Sequence, residues 1–263
     1  MIKYCIFTLI FNNYDLVREP LEIDDNCDYF LFTDNKNIIS KKWNVIYLEN
    51  FDTDKLSGIQ KTYIFKYTFK KYIPNIDKYE YIIRVDASIL LKKSLAPIIS
   101  YLNDNNYDLS IAIHDYHNNQ PTFQSEYSIW EKHRGLNPKY TKSFFDFATV
   151  DNNYPINQGY FELTVMIYKN CQQIFNLLND VNNCMTKYND NNDKNDQCYF
   201  SCIWYDYRNI IKTNFHPSTL YHNSKFMQVN VHNTNYAPFQ YNEQYIKTRQ
   251  IFGETVDIMN INL

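Results

Sequence analysis

Glycine is scarce in this chain: its 263 residues include four, at positions 58, 135, 159 and 253. Phosphate loops made of backbone amides need closely spaced glycines, and neither G-x-G-x-x-G nor G-K-[ST] occurs. G-x-S-x-G is missing as well, and no Ser/His/Asp or Cys/His set stands out, so hydrolysis by an activated nucleophile finds no support. The six cysteines include no C-x-x-C, and the six histidines form no H-x-x-x-H or H-x-H, which argues against a zinc site. Positive charge is not in surplus. Twenty-six Lys and Arg face 29 Asp and Glu, for a net charge of −3, and no basic stripe interleaves with aromatics, so a nucleic-acid partner is excluded. No stretch approaches the roughly 18 apolar residues of a membrane span. The first ten residues read as a strand and lack the layout of a signal peptide. A soluble protein of a reducing compartment is expected: cytoplasmic, or in the host cytoplasm if the chain is viral.

Aromatic residues are abundant, at 17%, with 25 Tyr and 18 Phe, and the hydrophobic share of 44% is enough for a full core. Asn, Ile, Lys, Tyr and Asp dominate. Their codons are AT-rich, so the bias reports a genome (a low-GC bacterium, a phage or a giant virus) and not a mechanism.

Short apolar runs alternate with helical patterns. Residues 2–11, 27–33 and 43–48 read as buried strands. Aromatics recurring every three or four residues predict a helix over 57–72, with Ser57 as its cap and Pro74 beyond its end. The run Tyr81-Ile-Ile-Arg-Val85 then delivers Asp86 and turns apolar again at Ile89. A helix from Pro97, a strand from Leu109, a helix over 124–133, an irregular 137–151, a strand over 162–168 and helices over 171–185 and 196–207 follow. The tail from His216 shows short aromatic strands and no clear period. This order predicts an α/β fold in one domain, with a mostly parallel central sheet and an irregular C-terminal part.

Asp15, Asp34 and Asp86 each follow an apolar strand, and a parallel sheet gathers such ends on one edge. Each also has a plain reading as a turn former. Asp86 with Ser88 forms a shortened Asp-x-Asp. One carboxylate, a water held by Ser88 and a diphosphate would satisfy a hard divalent cation. Lys61 and Lys66 lie on the helix leading to that strand, placed either for a phosphate or as a solvated face. His114, His117, His222 and His232 are candidates to complete a Mn²⁺ shell or simple structural hydrogen bonders. Gly159, after Asn157-Gln158, suggests close backbone approach ahead of Glu162. Asp196 is placed to cap a helix, and with Gln197 it also matches a vicinal diol.

Four segments in this order resemble the glycosyltransferase-like family long catalogued as a domain of unknown function, whose plant members include mucilage-related proteins and proteins named for alkaline ceramidase. They are Phe11-Asn-Asn-Tyr-Asp15 with Arg18-Glu-Pro20; Cys27-Asp-Tyr-Phe-Leu-Phe-Thr-Asp34-Asn35; Lys66 through Pro74 into Tyr81-Ile-Ile-Arg-Val-Asp86-Ala-Ser88-Ile89; and Asn195-Asp196-Gln197. The resemblance covers about residues 4–205, and the family commonly has an aromatic where this chain has Arg84.

What the resemblance implies is a GT-A-like nucleotide-sugar transferase. Residues 1–100 would be its nucleotide-binding half, and residues 101–263 its acceptor side and C-terminal extension. It would move a sugar from a nucleotide donor, with UDP favoured, to a glycan or other hydroxyl acceptor, with Mn²⁺ or Mg²⁺. Thr8, Asp15, Asp34, Lys66, Asp86 and Gln197 would hold the donor, and Asp86, Ser88 and His232 the metal. Asp196, Glu162 and Glu126 would be the candidates for the catalytic carboxylate. The competing readings are a carbohydrate-binding or assembly module that keeps the fold without the chemistry, and a hydrolase of the ceramidase-named type.

Overall fold

A computed structural model describes residues 2–49, 58–113, 138–155, 160–188, 196–217, 219–222 and 224–230. Seven strands form one sheet in the order β3-β2-β1-β4-β7-β6-β8. They are β1 (Tyr4–Ile10), β2 (Cys27–Thr33), β3 (Asn44–Tyr47), β4 (Tyr81–Val85), β6 (Leu109–Ile113), β7 (Phe161–Lys169) and β8 (Thr213–His216). A second, two-stranded sheet pairs β5 (Ile89–Leu91) with β9 (Met227–Val229) in antiparallel fashion. In the large sheet β1 pairs in parallel with β2 and β4, β2 with β3, and β6 with β8, while β7 runs antiparallel to both its neighbours. The mostly parallel sheet expected from the sequence is therefore present, with β7 reversed inside it.

The strands read as continuous apolar runs because both faces of the sheet are covered. Along β1, Cys5, Phe7 and Leu9 enter one core and Tyr4, Ile6 and Ile10 the other. The first core receives Phe65 from α1 (Gly58–Thr68), Phe144 from α3 (Pro138–Asp146), Leu177 from α4 (Gln172–Tyr188) and Phe200 from α5 (Gln197–Tyr207). The second receives Ile98, Ile99 and Leu102 from α2 (Ala96–Asp104), with Leu220 and Met227 from the C-terminal elements. α2 begins with Pro97 near its first turn, where a missing N–H costs nothing.

Three expectations need correction. Residues 138–151 are not irregular: α3 continues into a π-helical turn, Phe147–Asp151, anchored by buried Phe144 and Ala148. Tertiary packing of these two side chains overrides a weak local pattern. The helix expected through Tyr72 stops being α-helical at Thr68 and tightens into a 3₁₀ turn, Phe69–Lys71. Asp196 sits at the N-cap position of α5, but its side chain makes no capping hydrogen bond. The helix expected over 124–133 and the Ser57 cap lie outside the described residues.

Candidate functional site

The sheet order places a topological switch point between β1 and β4. The chain leaves β1 toward β2 on one side and leaves β4 toward β7 and β6 on the other. Ligands of open α/β sheets occupy the crevice at the carboxyl ends of such a pair. Here those ends carry Asp15 and Asp86, and Asp34 follows β2 on the same edge.

Each acid on this edge has a basic partner. Arg18 donates from Nη1 to Asp15 Oδ1 at 2.6 Å and to the carbonyl of Ala87 at 2.6 Å. It thereby spans the crevice from the loop after β1 to the loop after β4. Asp34 accepts from the Asn12 N–H at 2.8 Å and from Lys61 Nζ at 2.9 Å. With its amide turned to satisfy both neighbours, Asn12 also donates to Asp34 Oδ2 at 2.8 Å and accepts from the Gly58 N–H at 2.9 Å. Asn12 and Asn13 have φ of 51° and 54°, a left-handed turn that asparagine tolerates. Asp34 thus closes the β1 loop onto the start of α1.

The third pair is Arg84 with Asp86. β4 is apolar on both sides except at Arg84, whose side chain is 2% exposed. Its Nη2 donates to Asp86 Oδ1 and its Nη1 to the carbonyl of Leu163 on β7. The Asp86 N–H donates to the Thr164 carbonyl at 3.0 Å, so β7 fixes both residues. The Asp86 side chain is 32% exposed, and its Oδ2 accepts no hydrogen bond among the described residues. Ser88 is buried in the turn that follows, its carbonyl taking the Asn230 N–H.

The fourth pair is buried. Lys66 Nζ and Tyr67 Oη, both from α1, donate to Asp196 Oδ2 at 2.6 and 2.7 Å. Burial and then the Arg84 charge hold the Lys66 ammonium below its usual range, against the opposing pull of Asp196 and Asp86. Burial, with the Asp196 charge behind it, pushes the Tyr67 phenol well above its own range. Gln197 opens α5 beside this pair.

Glu162 stands apart. It faces Ala112 across the β6–β7 ladder and so lies on the sheet face of the second core, opposite the face of Lys66 and Asp196. Its Oε1 accepts from Thr164 Oγ1 at 3.3 Å. Thr8 is inside β1, and its buried hydroxyl has no partner among the described residues. Glu126, His114, His117, His232, Gln158 and Gly159 lie outside the described residues, as does the side chain of His222.

Among the described residues, no group of three or more His, Cys, Asp or Glu side chains is placed to hold a metal ion. The edge does offer one open carboxylate oxygen, Asp86 Oδ2. That donor fits a hard cation whose other positions are filled by a diphosphate and water, and it does not fit a cage made of protein ligands.

Arg18 and Arg84 were not among the residues expected at the site. The signal for Arg84 was in the sequence, because a charge inside a buried apolar run must find a partner. Arg18 gave no such signal, since its bond to Ala87 exists only once β1 and β4 are adjacent.

No family model matches the chain, and no curated protein matches it. Among solved structures, it is similar to mouse xyloside xylosyltransferase 1 in its apo form, with 13% identity over 81% of this chain and 85% of that one and a TM-score of 0.43. It is also similar to core-mannan synthase A from Aspergillus fumigatus in a Mn/GDP form, with 12% identity over 82% of this chain and 73% of that one and a TM-score of 0.45. At these TM-scores neither likeness bears on the chemistry of the site, which rests on its own residues.

Proposed function

We propose that the chain is a nucleotide-sugar-dependent glycosyltransferase that moves a sugar, from UDP in preference to other nucleotides, to a glycan or other hydroxyl acceptor. The observation that carries this reading is Asp86: a carboxylate about one-third exposed with one open oxygen, at the switch point of a mostly parallel sheet, among paired cations. Asp34 and Lys61 would border the nucleoside, Lys66 the phosphates, and Asp196 with Gln197 the sugar hydroxyls. In the transfer, the acceptor oxygen forms a bond to the anomeric carbon, the bond from that carbon to the diphosphate oxygen breaks, and the acceptor proton passes to a base. Mn²⁺ or Mg²⁺ held by Asp86 would supply Lewis-acid stabilisation of the leaving diphosphate.

Asp196 is a poor choice for the base, because one of its oxygens already takes two donors. It is better suited to holding Lys66 and a sugar hydroxyl. Of the other carboxylates expected in that role, Glu162 is the described one near the edge. The pairing of Asp15, Asp34, Asp86 and Asp196 with cations also favours a second reading, a site that binds nucleotide or sugar without turnover.

Calorimetric titration of UDP and of GDP, with and without Mn²⁺, into the chain and into Asp86→Ala tests the proposal. Nucleotide binding should need the metal and should weaken by about tenfold or more in Asp86→Ala, a loss of about 1.4 kcal/mol. Binding indifferent to both metal and Asp86 would sink it. Release of UDP from UDP-sugars in the presence of acceptors separates transferase from binding module.

A further inference from the structure

Arg84 and Lys66 are two buried cations that meet two carboxylates in one cluster. Arg84 is among the largest fully buried side chains of the described residues, and its Nε has no hydrogen-bond partner among them. Its Nη2 is committed to Asp86 and its Nη1 to Leu163. Lys66 is committed to Asp196 and feels the charges of both Arg84 and Asp86. With all four groups charged, the cluster is balanced, two against two.

A balanced cluster treats two kinds of ligand differently. A bare divalent ion at Asp86 Oδ2 would add two positive charges beside Arg84 and Lys66, where burial weakens screening. It would also gain only one protein oxygen. An ion already bound to a nucleoside diphosphate arrives with its charge cancelled and its oxygen shell largely filled. The geometry points to Arg84 as a resident counter-cation that denies Asp86 to a free divalent ion, so that the ion enters only together with the diphosphate. The diphosphate half of this statement rests on the transferase reading; the antagonism between Arg84 and a bound ion does not.

The test is titration of Mn²⁺ into the full chain, read by the electron paramagnetic resonance of the free ion, with and without saturating UDP. The wild-type chain should take up Mn²⁺ at least about tenfold more tightly with UDP present, a coupling of ordinary size between two ligands. Arg84→Met, which removes the charge, should gain about tenfold in affinity for Mn²⁺ alone. Arg84→Lys should behave like wild type, and Arg84→Met with Asp86→Asn should lose the gain. If Arg84→Met loses its far-ultraviolet circular dichroism, Arg84→Gln takes its place, since it keeps a polar contact to Leu163 without the charge. With UDP bound, a Mn²⁺ affinity equal to that without UDP in the wild-type chain would overturn the idea. So would an unchanged affinity for Mn²⁺ alone in the charge-removing variant. If no nucleotide binds under any condition, the transferase reading falls, while a gain of Mn²⁺ affinity on removing the Arg84 charge still supports the antagonism.

Discussion

Gly58 shows how a single residue can reverse a general rule. Replacing glycine by alanine within a helix normally stabilises it by about 1 kcal/mol. A Cβ at Gly58, however, would lie 2.9 Å from the Phe11 carbonyl and 3.1 Å from Asn12 Cβ. A backbone carbonyl yields little, so Gly58→Ala should destabilise the protein by about 1–3 kcal/mol in urea unfolding. The same crowding lets the Gly58 N–H reach the Asn12 side chain. The buried ion pair gives a second residue-scale prediction. Asp196→Asn leaves the Lys66 ammonium buried without its anion and should cost about 3–5 kcal/mol in the same measurement. Adding Lys66→Met should restore much of that loss, because no charge then remains uncompensated.

His216 supplies the pH dependence. It is buried on β8, its Nδ1 3.0 Å from Ser110 Oγ, and its Nε2 has no partner among the described residues. Burial pushes its pKa down from 6.5 to about 3. In the unfolded chain the imidazole takes up a proton as pH falls through 6.5, and in the folded chain it does not. Its contribution to stability is therefore complete above 6.5 and is lost progressively between 6.5 and about 3, by up to about 1.4 kcal/mol per pH unit. Urea unfolding from pH 7 to pH 5 should show a shallower decline for His216→Gln than for wild type. Equal slopes would mean that other groups carry the acid sensitivity.

At the scale of elements, periodicity was informative wherever an element was buried on both sides. β1, β2 and β4 are short β-branched and aromatic runs, and their positions were legible for that reason. α4 was legible from its apolar stripe: Ile174, Leu177, Leu178 and Val181 all face the core. Leu177 is fully buried, so Leu177→Ala should cost about 2–5 kcal/mol on unfolding by denaturant. α3 with its π-helical turn was not legible, because its stability comes from Phe144 packing on Tyr199, ring centroids 4.0 Å apart, across 55 positions of chain. The β5–β9 pair was missed for the same kind of reason. Three-residue strands carry almost no period, and their pairing depends on where the C-terminal segment returns.

Over the whole molecule, a nearly neutral net charge of −3 conceals an edge where acids and bases meet in pairs. If that edge binds a nucleotide with its metal, occupancy should stabilise the entire fold by mass action. At 100 times the dissociation constant the gain is about 2.7 kcal/mol, or roughly 5–10 °C in melting temperature for a chain of this size. Scanning calorimetry should show that upshift with UDP and Mn²⁺ together and little with UDP alone. An equal upshift without Mn²⁺ would remove the metal from the proposal.

The sequence by itself determined that Asp15, Asp34 and Asp86 end apolar strands, because an ionised carboxylate cannot lie unpaired within a buried run. It also determined the α/β class, since continuous apolar strands alternating with helices demand a sheet covered on both faces. Arg18 with Asp15 and Arg84 with Asp86 are near neighbours in the chain, and only the tertiary structure decided the distant pairs, Lys61 with Asp34 and Lys66 with Asp196. Lys66 and Asp196 lie 130 residues apart and meet because α4 packs against both α1 and α5 over the first core, which brings the start of α5 to α1. Arg84 reaches Asp86 under a carbonyl supplied by a strand that runs antiparallel to its neighbours. Residue types and local order follow from propensity and solvation, whereas distant partners follow from strand order and helix packing, which no local pattern encodes.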